Sequence, residues 1–299
     1  MRPELVDALA LLRSRDPNRI SEALRLLQGT VYAFSMKLCG HREDAEDTMQ
    51  DVLLSSLPHL DKLETPQAMA AWLYTVARNR CWRSRRGQAH MPGVTLSLDE
   101  LMPDQAELQR LLQDSADGPE TKLLNKEADN LLQMAVQRLP APYRLVLVLH
   151  DMEDLEPALV AKILDLKEGT VRVRLHRARL AVRQDLAMLM RGEALPERAS
   201  GARAGKCIQK RGAGKNRPDT CREVFSRLSE YLDQRLSPAS CESMRQHIES
   251  CPACVAFLQD LGAAIERCHS FQAECESAIP QRLTELLTQE YLRMTHSRA

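Results

Sequence analysis

One stretch constrains the fold more than any other: Lys167-Glu168-Gly169-Thr170-Val171-Arg172-Val173-Arg174-Leu175-His176-Arg177-Ala178-Arg179. Val171, Leu175, Ala178, Val182, Leu186 and Leu189 recur three and four residues apart, which lays one apolar stripe along an α-helix. Arg172, His176, Arg177, Arg179 and Arg183 fall off that stripe and are expected to project outward. Just ahead lies a shorter apolar helix, Pro157 to Leu164, ended by the tight Asp165-Leu166-Lys167. Two helices joined by a three-residue turn, the second one cationic, is the pattern of a helix-turn-helix. The second helix of such a motif enters the DNA major groove, where arginines reach guanine edges or phosphates. A solvated surface helix would show the same stripe. It would not combine it with the turn, the small Ala161 and the arginines.

A chain of 299 residues accommodates two or three domains. Its 41 basic and 41 acidic side chains balance, but they are segregated. Arg78, Arg80, Arg83, Arg85 and Arg86 cluster, the charged residues of Ser200 to Pro218 are all cations, and Asp44 to Asp51 and Asp99 to Glu120 are acid-rich. Segregation of this kind points to more than one partner. Aromatic residues are few and the apolar period is three to four nearly throughout, so the expected class is all-α. Residues 1–20 do not read as a signal peptide, and no apolar run approaches the roughly 20 residues that span a bilayer. The expectation is a soluble, cytoplasmic protein with no membrane partner.

The domains are expected as follows. Residues 1–92 form a helical domain with helices over Ile20 to Leu38, Arg42 to Leu57 and from Pro66 through Trp72 to Arg86. Residues 93–120 form an acidic linker with a short helical piece near Leu108 to Leu112. Residues 121–192 hold the helix-turn-helix and two helices leading into it, separated by Leu139-Pro140-Ala141-Pro142. Residues 193–217, rich in Gly, Ala, Lys and Arg, read as a flexible basic linker. Residues 218–299 carry a second helical domain with most of the cysteines.

In the first domain Asp44, Glu46, Asp47, Gln50 and Asp51 share a helix with Ala45, Met49, Val52 and Leu53, the acids and amide on one side and the apolar residues on the other. An acidic face of this kind serves either solvation or a partner. Further on, Trp72, Tyr74, Arg78, Asn79, Arg80, Trp82 and Arg83 interleave rings with cations and an amide. That mixture suits single-stranded nucleic acid, with rings stacking on unpaired bases and cations holding the backbone. Trp72 and Tyr74 equally suit a helical core.

Together these segments closely resemble the bacterial RNA polymerase sigma factors of the extracytoplasmic-function group, over residues of about 20 to 190. The resemblance implies that Asp44, Glu46, Asp47, Gln50 and Asp51 bind the clamp helices of the polymerase β′ subunit. It implies that the segment from Trp72 to Arg83 melts and captures the −10 promoter element. Thr170, Arg172, Arg174, His176 and Arg177 would then read the −35 element in promoter DNA. The segment departs from the family pattern where Glu156-Pro157-Ala158 replaces a serine-led opening and where Asp165 replaces the turn glycine. Proline suits the first helical position, Glu156 is a weak cap, and Asp tolerates a left-handed backbone better than most residues.

Seven of nine cysteines follow residue 200. In a reducing compartment such a cluster points to metal or redox chemistry. His247, Cys251 and Cys254 are spaced four and three apart, so a single helix would present all three on one face, with Cys221 approaching from just before a helix over Glu223 to Leu236. A Cys₃His set suits one closed, tetrahedral Zn²⁺, either structural or redox-regulatory, and buried free thiols are the plainer alternative. The stretch 219 to about 270, including Leu228-Ser229-Glu230-Tyr231-Leu232-Asp233, resembles the zinc-binding anti-sigma domain. The resemblance implies that this domain, or a separate anti-sigma factor, hides the polymerase-binding surfaces. Cys268 and Cys275 are extra thiols beside it.

The combined expectation is a sigma factor regulated in cis by a zinc-binding domain. The alternatives are a helix-turn-helix regulator, or a zinc or redox sensor, acting without core polymerase. No nucleophile–base pair or phosphate-cradling glycine loop marks an enzyme, and a four-ligand zinc leaves no open position.

Overall fold

The computed structural model describes residues 2–14, 16–84, 95–114, 125–196, 219–271 and 281–296. Every regular element among them is helical. In chain order these are α1 (Pro3–Leu12), α2 (Pro17–Cys39), α3 (Arg42–Leu60), α4 (Pro66–Ser84), α5 (Leu98–Leu101), α6 (Gln105–Asp114), α7 (Asn125–Arg138) and α8 (Ala141–Leu147). A π-helical stretch, Val148–Met152, follows. Then come α9 (Pro157–Leu164), α10 (Glu168–Met190), α11 (Asp219–Leu232), α12 (Pro238–Ser250), α13 (Pro252–Ser270) and α14 (Gln281–His296). The all-α expectation holds. No single helix among the described residues is long and apolar enough to cross a membrane. The chain splits into one unit of Met1–His90, Val148–Glu168 and Gln272–Ala299 and another of Met91–Leu147 and Gly169–Phe271.

In the first unit, local chemistry sets the helix ends. The Asp16 carboxylate accepts the Asn18 N–H at 2.9 Å and Pro17 opens α2. Gly40, left-handed at φ 73°, closes α2 and donates its N–H to the Met36 carbonyl at 2.8 Å. Leu24, Leu27, Val31, Phe34, Val52, Leu53 and Leu73 fill the core between α2, α3 and α4. The Phe34 and Tyr74 rings lie 4.5 Å apart, centroid to centroid. Glu153, just past the π-helical stretch, is wholly buried in this unit. Its carboxylate accepts from Lys37 Nζ at 2.7 Å, from the Tyr74 hydroxyl at 2.7 Å and from Arg2 Nε. Burial, then the Glu153 charge, pushes the Tyr74 hydroxyl well above its ordinary pKa, so it stays a donor.

α9 packs on α4, and Arg78 Nη1 donates to the Ile163 carbonyl at 2.6 Å. The turn after α9 runs through Asp165 in the left-handed region (φ 55°, ψ 54°), the conformation anticipated for the residue that replaces glycine. Glu156 makes no side-chain cap. α14 lays Thr284, Leu287, Thr288 and Tyr291 onto α2 and α3, with the Thr284 hydroxyl donating to Gln28 Oε1 at 3.2 Å.

In the second unit, α11, α12 and α13 pack together around Phe225 and Phe257, whose ring centroids are 4.9 Å apart. The helical piece expected in the acidic linker is α6, and it lies against α13. Of the basic linker expected over 193–217, all but 193–196 lies outside the described residues, as do 115–120 of the acidic one.

A buried carboxylate left short of cations is costly. Lys37→Ala is expected to destabilise the first unit by about 3 kcal/mol or more. Lys37→Met with Glu153→Gln should recover much of that loss. Urea unfolding of the three proteins measures both.

Candidate DNA and metal sites

α10 departs from expectation in an informative way. Val171, Leu175, Ala178, Val182 and Leu186 are buried, as the stripe predicts. Thr170, Arg174 and Arg177 are half-buried and Arg172 is exposed. His176, Arg179 and Arg183 do not project outward. They retain only 8%, 2% and 1% exposure. Their spacing from Arg172, four, three and four residues, is one face of a helix, so three successive turns of a cationic face are covered. His176 Nδ1 pairs with the Ser229 hydroxyl at 2.8 Å. Arg179 Nη1 meets Asp233 at 2.9 Å. Arg183 Nη1 donates to Asp260 at 2.7 Å, its Nη2 reaches Glu107, and its guanidinium lies 4.5 Å from the Phe257 ring centroid. The covering groups therefore come from α6, α11, the residue after it, and α13. Ser229 and Asp233 belong to the segment singled out in the sequence as similar to the anti-sigma domain. Glu107 and Asp260 carried no sequence signal of this role.

The four candidate metal ligands come together, but not on one helix. Cys221 sits in the first turn of α11, His247 in the last turn of α12 and Cys254 in the first turn of α13. Cys251 lies between α12 and α13 in an extended conformation (φ −124°, ψ 100°), and the two helices bend by 112° there. Pro252 causes the break, because the residue before a proline is driven out of the α region while proline itself fits the first position of the next helix. The four ligand atoms lie within 4.8 Å of one another, with Cys221 Sγ and Cys254 Sγ each 3.3 Å from His247 Nε2. A tetrahedral Zn²⁺ with bonds of about 2.3 Å to sulfur and 2.0 Å to nitrogen needs donors spaced on this scale, so the set fits. Burial opposes ionisation of Cys251. Hydrogen bonds from the Cys254 and Ala253 N–H groups and from the neighbouring thiols outweigh it and hold the thiol below its ordinary pKa. Burial pushes Cys254 up. Cys268 is buried on α13, and Cys275 lies outside the described residues.

On α3, Asp47 and Gln50 are exposed, and Asp44, Glu46 and Asp51 are half-buried. Glu46 pairs with Arg42 at 2.8 Å and Asp51 with Arg80 at 3.1 Å, both near solvent. On α4, Trp72 is half-buried, donates Nε1–H to Ser56 Oγ at 3.3 Å and lies against the tilted His59 ring, centroids 4.4 Å apart. Tyr74, expected among the base-stacking rings, is wholly buried against Phe34 and Glu153 and offers no face to a base here. Arg78 is engaged by Ile163 and by Asn79 Oδ1, whereas Asn79 itself is exposed. The side chains of Trp82 and Arg83 lie outside the described ones.

His176 gives the α10 contact a pH dependence. Burial, then the charges of Arg179 and Arg177, lowers its pKa from 6.5 to about 4. Its Nε2 has no hydrogen-bond partner among the described residues, so a second ring proton would meet no acceptor there. The packed state binds fewer protons than the open one. The contact is thus fully present above pH 6.5 and weakens as pH falls toward about 4, by up to about 3 kcal/mol. Protease protection of the second unit should fall over that window in the parent chain, and His176→Gln should flatten the dependence.

Two family models for sigma-70 match in order, region 2 over residues 24–91 and region 4 over 129–182. A third, described as "Putative zinc-finger", matches residues 221–254, which begin and end on Cys221 and Cys254. The chain is 26% identical over 177 residues to the ECF RNA polymerase sigma factor SigW of Bacillus subtilis, covering 58% of this chain and 92% of that protein. It is 31% identical over 151 residues to the ECF RNA polymerase sigma factor SigM of Mycobacterium tuberculosis, covering 50% and 68%. A solved structure, the sigma factor RpoE in complex with the anti-sigma factor NepR from Bartonella quintana, superposes at a TM-score of 0.40 with 22% identity, covering 56% of this chain and 95% of that one. With both sigma-70 regions present in order and a relative 31% identical along 68% of its own length, the chain belongs to the extracytoplasmic-function family of RNA polymerase sigma factors.

Proposed function

We propose that this sigma factor binds core RNA polymerase through the α3 face of Asp44, Glu46, Asp47, Gln50 and Asp51 and directs initiation at its promoters. Trp72, Arg78, Asn79 and Arg80 on α4, with Trp82 and Arg83 beyond, hold the −10 strand. Thr170, Arg172, Arg174 and Arg177 on α10 serve the −35 element, joined by His176 once its cover leaves. The working divisions are 1–92 for polymerase and −10 binding, 121–192 for −35 binding and 218–299 for regulation.

Regulation acts in cis, and one observation carries it: the zinc-finger-type helices and α6 occupy the cationic face of α10 through Ser229, Asp233, Asp260 and Glu107. Carboxylates in place of phosphates are the electrostatic mimic of DNA. α14 meanwhile lies on α2 and on α3, the helix that carries the proposed polymerase-binding residues. One Zn²⁺, held by Cys221, His247, Cys251 and Cys254, would join α11, α12 and α13, supplying folding energy at the break before Pro252. An operator-binding regulator that ignores polymerase would leave the exposed Asp47 and Gln50 without a role.

The polymerase assignment is tested by charge reversal. Asp47→Lys with Asp51→Lys, in the chain ended after Arg191, is expected to abolish co-purification with core polymerase while far-UV circular dichroism stays unchanged. The lost Asp51–Arg80 pair is near solvent and worth less than about 1 kcal/mol, so folding survives. Retained binding would overturn the assignment.

A further inference from the structure

Two cysteines stand apart from the zinc ligands. Cys39 is the last residue of α2 and Cys81 lies near the end of α4. Both are buried, at 2% and 8% exposure. Their sulfurs are 2.8 Å apart, closer than two non-bonded sulfurs ordinarily rest, and Thr48 Oγ1 on α3 is 3.6 Å from Cys81 Sγ. Gly40 fixes the chain direction immediately after Cys39, so the end of α2 is held in place opposite α4. Nothing in polymerase or promoter binding uses either thiol.

We propose that Cys39 and Cys81 are a disulfide-forming pair that staples α2 to α4 when the chain meets a low-molecular-weight disulfide. A disulfide needs sulfurs at about 2.05 Å, so the bond asks for about 0.8 Å of approach from the 2.8 Å contact. The chemistry is thiol–disulfide exchange. The Cys81 thiol, the more exposed of the two, loses its proton and attacks one sulfur of the small disulfide, breaking that bond and releasing one small thiolate. The Cys39 thiolate then attacks the Cys81 sulfur of the mixed disulfide and expels the second small thiolate. The two protons given up by the cysteines end on the two departing thiolates. Two protein thiols are oxidised and one small disulfide is reduced to two thiols.

The consequence differs from that of oxidation at the zinc ligands. Metal loss would loosen the second unit, whereas the staple closes a loop over α3 and strengthens the first. An oxidant would then act on the two halves of the chain in opposite directions. The staple itself rests only on the first unit's geometry and holds whether or not the zinc-binding helices inhibit.

The test uses the full, zinc-loaded chain in glutathione buffers of graded ratio of disulfide to thiol. Proteolytic mapping under non-reducing conditions should find one peptide pair joined through Cys39 and Cys81, lighter by two hydrogens than its separate thiols. It should vanish in Cys39→Ser and in Cys81→Ser and revert on adding reduced glutathione. Urea unfolding followed by the fluorescence of Trp72 and Trp82 should shift to higher concentration on oxidation in the parent chain. In Cys39→Ser it should not shift. Cys39→Ala with Cys81→Ala serves as a second unlinkable control should the serine variants fold poorly. If both thiols stay free, or form only mixed disulfides with glutathione, while glutathione disulfide oxidises other cysteines of the chain, the proposal is wrong.

Discussion

Arg179 and Arg183 are guanidinium groups almost wholly removed from water. A guanidinium does not shed its charge on burial, so each must find carboxylates or stay in solvent. Here the carboxylates are Asp233 for one and Asp260 with Glu107 for the other. That requirement organises the second unit. It draws side chains from the linker helix α6, from the end of α11 and from α13 onto one face of α10. Removing either carboxylate of the Arg183 pair would leave less charge compensation where water cannot make up the difference. Adding phosphates from DNA could not help while the acids stay in place.

The same logic operates in the first unit with the signs exchanged. Glu153 is a buried anion met by Lys37, Arg2 and the Tyr74 hydroxyl. Lys37 and Tyr74 stand on α2 and α4, within the stretch that matches sigma-70 region 2, while Glu153 precedes the first helix of the helix-turn-helix motif. Arg78 on Ile163 adds a second tie between the same parts. Residues read in sequence as nucleic-acid contacts are thus partly engaged within the protein. The Cys221, His247, Cys251 and Cys254 cluster lies in the same unit as Ser229, Asp233 and Asp260, so a metal bound there would couple its folding energy to the contacts that cover α10.

Much of this was legible because it is local. The span Pro157–Leu164 and the left-handed Asp165 depend on a few neighbouring residues, and the apolar stripe of α10 depends on period alone. The ligand set was legible from spacing, but its geometry was not. A proline after Cys251 decides between one helix and two, and the histidine–cysteine period pointed to one. The burial of His176, Arg179 and Arg183 could not be read, since a cationic helix face looks the same whether it meets water, DNA or acids. Their partners lie between 53 and 77 residues away for Ser229, Asp233, Glu107 and Asp260. The docking of α14 escaped notice because its buried face, Thr284, Leu287, Thr288 and Tyr291, is half polar and the surface it meets is distant in sequence, Gln28 lying 256 residues from Thr284. Tyr74 was misplaced because an aromatic among arginines suits a base or a core equally, and the deciding residue, Glu153, is 79 positions away.

Regulation in cis, as proposed, requires that the helices bearing the Cys/His cluster hold this sigma factor inactive until they let go of α10. Promoter-directed transcription in vitro with core polymerase tests it most directly, comparing the full chain with one ended after Arg191, each with and without a zinc chelator. Strong transcription is expected from the shortened chain regardless of chelator, and weak transcription from the zinc-loaded full chain, rising toward the level of the shortened one as zinc is removed. Equal transcription from the two chains at every zinc level would contradict it.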